Sequence, residues 1–279
     1  MVQPLVAVLM TSHNRRATTL SALAALDRQC GLPAGTTVHT YLVDAGSTDG
    51  TPEAVRRHHP DVRLMGVGDD VFWGRGMRIA SRNSRSADGS SFTHQLWLND
   101  DVRLDDDALG HLLTISRQEP EAIVVGAVHD GERTTYSGRR GRALELVEPT
   151  GRLEPCTTYN GNVVLIPRAA RDLVGDIDKR FPHGMGDYDH GLRARKAGVP
   201  ALVAPRHVGR CRANPPLSGS REPGIGVREA LRRVTSVREL PPRAWWVYCL
   251  RHGWPWTPVH MVSPYVRVAV RALAARGAG

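Results

Sequence analysis

Short apolar runs alternate along this chain with stretches whose apolar residues recur three and four positions apart. Val6-Ala7-Val8-Leu9-Met10 has the length and composition of a buried strand, and Leu20, Leu23 and Leu26 after it share one helix face. Thr18 or Asn14 is the expected cap of that helix. Residues 38–43 and 62–67 repeat the strand pattern. Between them Pro52-Glu53 suit a first helical turn, where a missing N–H does no harm and a carboxylate meets the positive end of the helix dipole. Phe72-Trp73-Gly74-Arg75-Gly76-Met77 reads as a glycine-broken loop leading into a helix around Ile79. Gln95-Leu96-Trp97-Leu98 is the next buried strand, and residues 122–128 make a fifth. Strands alternating with helices at this spacing predict an α/β fold around a parallel, doubly wound sheet.

The second half is less regular. Residues 130–155 are polar and rich in Gly and Arg, and read as a loop or hairpin excursion. Asn160-Gly161-Asn162 precedes the strand Val163-Val164-Leu165-Ile166, and Pro167 starts a helix. Gly186-Asp187-Tyr188-Asp189 stands at another helix start, and Ala201-Leu202-Val203-Ala204 is a strand ending at Pro205-Arg206-His207. Three domain segments are expected: 1–212 (with a nucleotide half, 1–128, and an acceptor half, 129–212), a mobile loop or linker over 213–243, and a basic aromatic tail over 244–279.

Polar clusters fall at the carboxyl ends of four predicted strands: residues 11–14, 44–49, 99–101, and His207. A parallel sheet brings such ends to one edge, where ligands bind. In the third cluster, Asn99-Asp100-Asp101, adjacent carboxylates repel unless something positive sits between them. A hard divalent cation that also bridges a diphosphate answers that need. The simpler reading is a turn, with Asp105, Asp106 and Asp107 opening the helix through Leu109, Leu112 and Leu113.

Composition narrows the function classes. Net charge is +9, almost all from arginine, since Lys179 and Lys196 are the only lysines. That balance fits phosphorylated substrates, an anionic membrane face or nucleic acid. Nucleic acid is not expected as a partner, because no helix-turn-helix, zinc-finger or RNA-recognition pattern occurs. Hydrophobic residues make up 41% of the chain, yet no apolar run reaches the roughly 18 residues of a membrane span. The first residues run straight into a strand without a signal-peptide pattern. Cys30, Cys156, Cys211 and Cys249 show no metal-ligand spacing. The expectation is a cytoplasmic protein in a reducing compartment.

Five strings carry a resemblance: Thr11-Ser12-His13-Asn14-Arg15; Val43-Asp44-Ala45-Gly46-Ser47-Thr48-Asp49-Gly50-Thr51; Asn99-Asp100-Asp101; Gly186-Asp187-Tyr188-Asp189-His190-Gly191-Leu192-Arg193; and His207. Together they resemble a family 2 glycosyltransferase of the GT-A fold. Phe72-Trp73-Gly74 with Gly76-Met77, and Asn160-Gly161-Asn162, are similar to the bacterial polysaccharide, rhamnosyltransferase-like branch. The resemblance implies a Rossmann-like, mostly parallel sheet flanked by helices, with a helical, aromatic C-terminal appendage. It implies an inverting enzyme that moves a sugar from a nucleotide-diphosphate sugar, a UDP-sugar first, to a glycan or lipid-linked saccharide. A small-molecule acceptor and a catalytically silent nucleotide-sugar-binding paralogue are the alternatives; Asn99 and Gly186, which replace acidic residues of the family pattern, motivate the second.

The resemblance also distributes roles. Thr11, Asn14, Arg15, Asp44 and Ser47 fall on the nucleotide, with an Asx-turn as the alternative for Asp44. Asn99 and Asp100 fall on the donor sugar or ribose, and Asp101 with His207 on Mn²⁺ or Mg²⁺. Asp187 takes the place of the base, with Asp189 beside it in acceptor binding or as the alternative base. Trp73, Gly74 and Met77 wall the sugar site or belong to the core, and Asn160, Gly161 and Asn162 face the substrate. In the tail, Trp245, Trp246, Trp254, Trp256 and Tyr265 lie among Arg251, Arg267, Arg271 and Arg276. That mixture predicts either peripheral contact with the inner membrane face or a helix packed on the rest of the protein.

Overall fold

Strand and helix alternate from the first residues of the computed structural model, which describes residues 3–85, 92–141, 143–213, 219–253 and 255–277. The order is β1 (Leu5–Ser12), α1 (Arg16–Asp27), β2 (Thr37–Ala45), α2 (Thr51–His58), β3 (Arg63–Val67), α3 (Trp73–Asn83), β4 (His94–Leu98), β5 (Arg103–Leu104), α4 (Ala108–Gln118) and β6 (Ile123–His129). Four short strands follow, β7 (Thr134–Tyr136), β8 (Gly138–Arg140), β9 (Glu145–Leu146) and β10 (Glu154–Pro155). Then come β11 (Thr158–Tyr159), β12 (Val163–Pro167), α5 (Arg168–Val174), α6 (Gly186–Lys196) and β13 (Ala201–Arg210). The remaining helices are α7 (Val227–Val234), α8 (Pro242–His252) and α9 (Thr257–Gly277).

The main sheet has the order β10-β13-β6-β12-β4-β1-β2-β3. The pairs β1–β2, β1–β4, β2–β3 and β6–β13 are parallel, whereas β12 runs antiparallel to both β4 and β6. Side chains alternate faces along a strand. Val6, Val8 and Met10 therefore join one core with Leu23, Leu26, Leu109 and Leu112, while Ala7 and Leu9 join the other with Met77, Ala80 and Ala194. Both faces are covered, which is why these strands read as unbroken apolar runs.

The chain forms two compact units, Met1–Ile177 with Asp187–Ala213, and Asp178–Gly186 with Asn214–Gly279. Four expectations are revised. The helix after Phe72 begins at once, with Trp73, Gly74, Gly76 and Met77 inside it. Gly76 is a packing device: a Cβ there would stand 2.5 Å from the Thr11 hydroxyl. Neither Thr18 nor Asn14 caps α1; Arg15 is the N-cap residue and makes no side-chain cap. The excursion over 130–155, read as a loop or hairpin, holds β7 to β10: β7 folds back antiparallel on β6, β8 on β9, and β8 and β9 join β11 in a separate three-stranded sheet, so here the hairpin reading stands. β13 continues to Arg210, so His207 lies within a strand and not at its end. Within 213–243, read as a linker, Val227–Val234 is helical; Trp254 lies outside the described residues.

Candidate active site

The carboxyl ends of β1 and β2 lie side by side, with Thr11 opposite Val43 and Ser12 opposite Asp44. Asp44 is 3% exposed. Its Oδ1 accepts the Ser47 N–H at 2.9 Å, but its Oδ2 is buried without a hydrogen-bond partner among the described residues. The Thr11 hydroxyl is in the same position. A buried polar atom left unpaired costs about 1–3 kcal/mol, so two at neighbouring strand ends call for a ligand. Asp44 thus braces its own turn through Oδ1 alone; the next turn is held by Asp49, which accepts the Arg16 N–H at 2.9 Å and the Thr51 N–H at 3.1 Å. The Thr51 hydroxyl, first, and these N–H groups hold the Asp49 carboxyl below its usual range. Asn14 has a left-handed backbone, φ 50°. Its N–H donates to the Ser47 hydroxyl at 2.8 Å and its side-chain oxygen accepts the Thr48 N–H at 2.7 Å, so the two loops brace each other.

At the end of β4 the acidic pair meets one cation. Arg15 Nη1 lies 3.0 Å from Asp100 Oδ1 and 2.8 Å from Asp101 Oδ2. Burial pushes the Asp100 carboxyl up to about 6, with Arg15 opposing. Burial works against the Arg15 charge too, yet the two carboxylates hold the guanidinium above its ordinary range. Asp101 is the more open of the pair, and its Oδ1 is 3.6 Å from the buried Cys211 thiol. Burial raises that thiol to about 12, so it stays protonated and donates. The Asn162 amide in turn reaches Cys211 Sγ at 3.8 Å. Cys211 had no spacing signal in the sequence; β13 delivers it.

His207 is held elsewhere. Its Nε2 donates to the Thr134 hydroxyl at 2.8 Å, because that hydroxyl gives its proton to Glu148. The ring stands 4.8 Å from that of His129. Among the described residues no group of three His, Cys, Asp or Glu side chains is placed to hold a metal ion, so Asp101 and His207 belong to no such group.

Trp73 links the acidic pair to the helix that carries Asp187. Its indole N–H donates to Asn99 Oδ1 at 2.9 Å, and its ring lies so close to Gly161 that a Cβ there would stand 2.6 Å away. The Gly161 N–H donates to Asp187 Oδ2 at 3.0 Å, and the Tyr188 N–H to Oδ1 at 2.9 Å. Burial raises the Asp187 carboxyl, and these N–H groups restrain the rise. Asn160 donates to the Tyr188 hydroxyl at 3.2 Å and accepts from Arg139 Nε at 3.1 Å. Arg139, from β8, was hidden in a segment without periodicity.

Asp189 is different in kind. It is fully buried and lies 2.8 Å from Arg193 Nε, whose guanidinium also donates to the Val174 and Asp176 carbonyls. His190 donates from Nε2 to the Gly175 carbonyl at 3.0 Å and accepts the Tyr159 hydroxyl at Nδ1, 2.6 Å away. Burial lowers this imidazole to about 3, so it is neutral. Gly74 is buried within α3, and Met77, 1% exposed, belongs to the core with Leu9 and Val43, not to a sugar-site wall.

The model of the glycosyl transferase family 2 matches residues 7–170, more than half the chain. Over 197 residues the chain is 28% identical to an N-acetylglucosaminyl-diphospho-decaprenol L-rhamnosyltransferase of Mycobacterium tuberculosis, in both strain CDC 1551 / Oshkosh and strain H37Rv. The match covers 60% of this chain and 64% of that relative, less than two thirds of its length. Among solved structures, the mannosyltransferase PcManGT from Pyrobaculum calidifontis, in complex with GDP-Man and Mn²⁺, superposes with a TM-score of 0.58 at 18% identity, covering 100% of this chain and 75% of its own. TarS 1–349 of S. aureus gives 0.56 at 11% identity, covering 97% and 80%. These likenesses establish the GT-A-like fold, a mostly parallel α/β sheet with helices. The family match places the chain in glycosyl transferase family 2.

Proposed function

We propose that this protein transfers a sugar, with inversion, from a nucleotide-diphosphate sugar to a hydroxyl of a glycan or lipid-linked saccharide. The observation that carries the reading is the pair of unsatisfied buried atoms, Asp44 Oδ2 and Thr11 Oγ1. A base N–H or a ribose hydroxyl donates to the first; the second pairs with either kind of group. Uridine, guanosine and thymidine diphosphate sugars are the donors to compare, a UDP-sugar first.

Asp187 accepts the proton of the acceptor hydroxyl as its oxygen bonds to the anomeric carbon. The bond from that carbon to the diphosphate breaks, and the diphosphate leaves with the electron pair. Two backbone N–H groups aim the Asp187 carboxylate, and Asn160, Tyr188 and Arg139 form the wall beside it. The acidic pair already holds a cation, the Arg15 guanidinium, so its charge suits a divalent ion. Asp101 is the residue that would hold Mn²⁺ or Mg²⁺, and such an ion would supply positive charge to the leaving diphosphate. The acceptor class follows from the mycobacterial relative, whose name specifies a saccharide on a diphospho-decaprenol.

Asp44→Asn puts an N–H where the ligand needs an acceptor. Losing a hydrogen bond to a charged group costs about 1.5–3 kcal/mol, so the donor should bind roughly 10- to 150-fold more weakly. Calorimetry measures this. The unliganded variant should be at least as stable as the native chain, since a buried charge has gone; a variant that unfolds instead would make Asp44 a structural residue. Chelation by EDTA should abolish donor turnover and added Mn²⁺ should restore it, while Asp101→Ala should show no response to Mn²⁺. Full turnover in chelator would refute the metal assignment.

A further inference from the structure

α9 is apolar on two sides, and only one of them is covered. Tyr265 and Ala272 lie on the inner side; the Tyr265 hydroxyl donates to the Leu240 carbonyl, and Ala272 is buried. On the outer side Val259, Val262, Val266, Val270 and Leu273 are each more than half exposed. Their spacing of three or four residues draws one stripe along the helix, about 21 Å long at 1.5 Å per residue. Neighbouring α8 adds Trp246 and Leu250, one turn apart and exposed, and Trp256 follows in the connection. Apolar surface of this extent on a water-facing helix marks an interaction site.

Charge says what covers it. Residues 240–279 contain no Asp or Glu and five arginines. Arg251 is paired with Asp178 at 2.9 Å. Arg243, Arg267 and Arg271 have no carboxylate partner among the described residues, and Arg267 and Arg271 border the stripe one turn apart. A second copy of this face would set arginine against arginine, and like charges juxtaposed across an interface oppose association. An anionic lipid surface offers the opposite charge and a place for valine and tryptophan side chains. No helix among the described residues is long and apolar enough to cross a membrane, so the geometry is that of a helix lying in the interface.

We propose that the outer face of α9, with Trp246 and Leu250 of α8, docks on an anionic lipid bilayer. The inference does not depend on the donor chemistry, so each can fail alone. The test is co-sedimentation of the full chain with vesicles of phosphatidylcholine, with or without phosphatidylglycerol. Binding is expected only with phosphatidylglycerol, and it should weaken with salt. An arginine near such a surface contributes about fivefold in partitioning, so Arg267→Glu with Arg271→Glu should reduce binding by more than about 25-fold. Val262→Glu with Val266→Glu should reduce it at least as much. All four positions are exposed, so both variants should keep the native circular dichroism spectrum and thermal midpoint. Native binding by both variants would overturn the proposal. So would a dimer in analytical ultracentrifugation that the valine variant dissolves, with no lipid binding by the native chain.

Discussion

Asp187→Asn should lower kcat by at least about a hundredfold while leaving donor affinity close to native. The substitution keeps the shape and one oxygen to accept from a backbone N–H, but removes the group that takes the proton. A positioned general base contributes roughly 10²- to 10⁴-fold. The proposed donor contacts, at Asp44, Thr11 and Asp101, lie on other elements than α6, so the loss should fall on the chemical step and not on KM for the donor. The pH profile adds a second signature. Burial raises the Asp187 carboxyl above the ordinary value near 4. Only the deprotonated form is a base, so kcat/KM should decline as pH falls through that raised value, and the Asn variant should lose this limb. Steady-state kinetics across pH, with calorimetric donor titration, checks both. A native kcat in the variant would remove Asp187 from the chemistry. Donor binding without turnover in the native chain itself would instead favour a silent paralogue.

Arg193→Ala should destabilise the protein by about 3–5 kcal/mol, because it withdraws the guanidinium beside a fully buried carboxylate. In a unit of this size each kcal/mol shifts the thermal midpoint by about 2–4 °C, so a fall of roughly 6–20 °C is expected. The Val174 and Asp176 carbonyls lose a donor in the same step. Replacing both partners with leucine should recover part of the loss, since a buried ion pair exchanged for apolar groups is often neutral. Scanning calorimetry measures each variant. A shift of less than about 2 °C would mean that Asp189 does not need its counter-ion. The outcome bears on mechanism as well. A carboxylate held by an arginine inside the core is a structural group, and that result would favour Asp187, two residues earlier, as the proposed base.

The contrast between these two aspartates shows where reading the sequence stops. Both belong to one short acidic string at a helix start, and their chemistry is identical. A rotation of about 200° around α6 separates them: one side chain meets the Gly161 N–H, the other meets Arg193. Which face of a helix is covered depends on what packs against it, and that is not written in the helix. Glycine is similar. Gly74 and Gly76 read as a break, yet both lie inside α3, where Gly76 lets the helix run close against β1 at Thr11, and Trp73 at the helix start bridges Asn99 and Gly161. Pro205-Arg206-His207 read as a strand end; β13 tolerates the proline and carries on to Arg210, next to Cys211, whose thiol reaches Asp101. Arg139 gave no signal at all, since β8 is three residues long.

The sequence by itself determined what depends on local burial and local turns. β1, β2, β4 and β6 were legible because a strand covered on both faces must be apolar throughout, and the polar clusters after them because a ligand edge must be polar. The motif strings after β1, β2 and β4 were enough for the family. Only the tertiary structure decided that β12 enters antiparallel between β4 and β6, that Arg15 closes on Asp100 and Asp101, and that Asp44 and Thr11 keep an unsatisfied atom each. Strand order and side-chain partners join residues far apart in the chain, and no local period encodes them. They follow from which packing buries the most apolar surface while leaving the fewest polar groups unpaired.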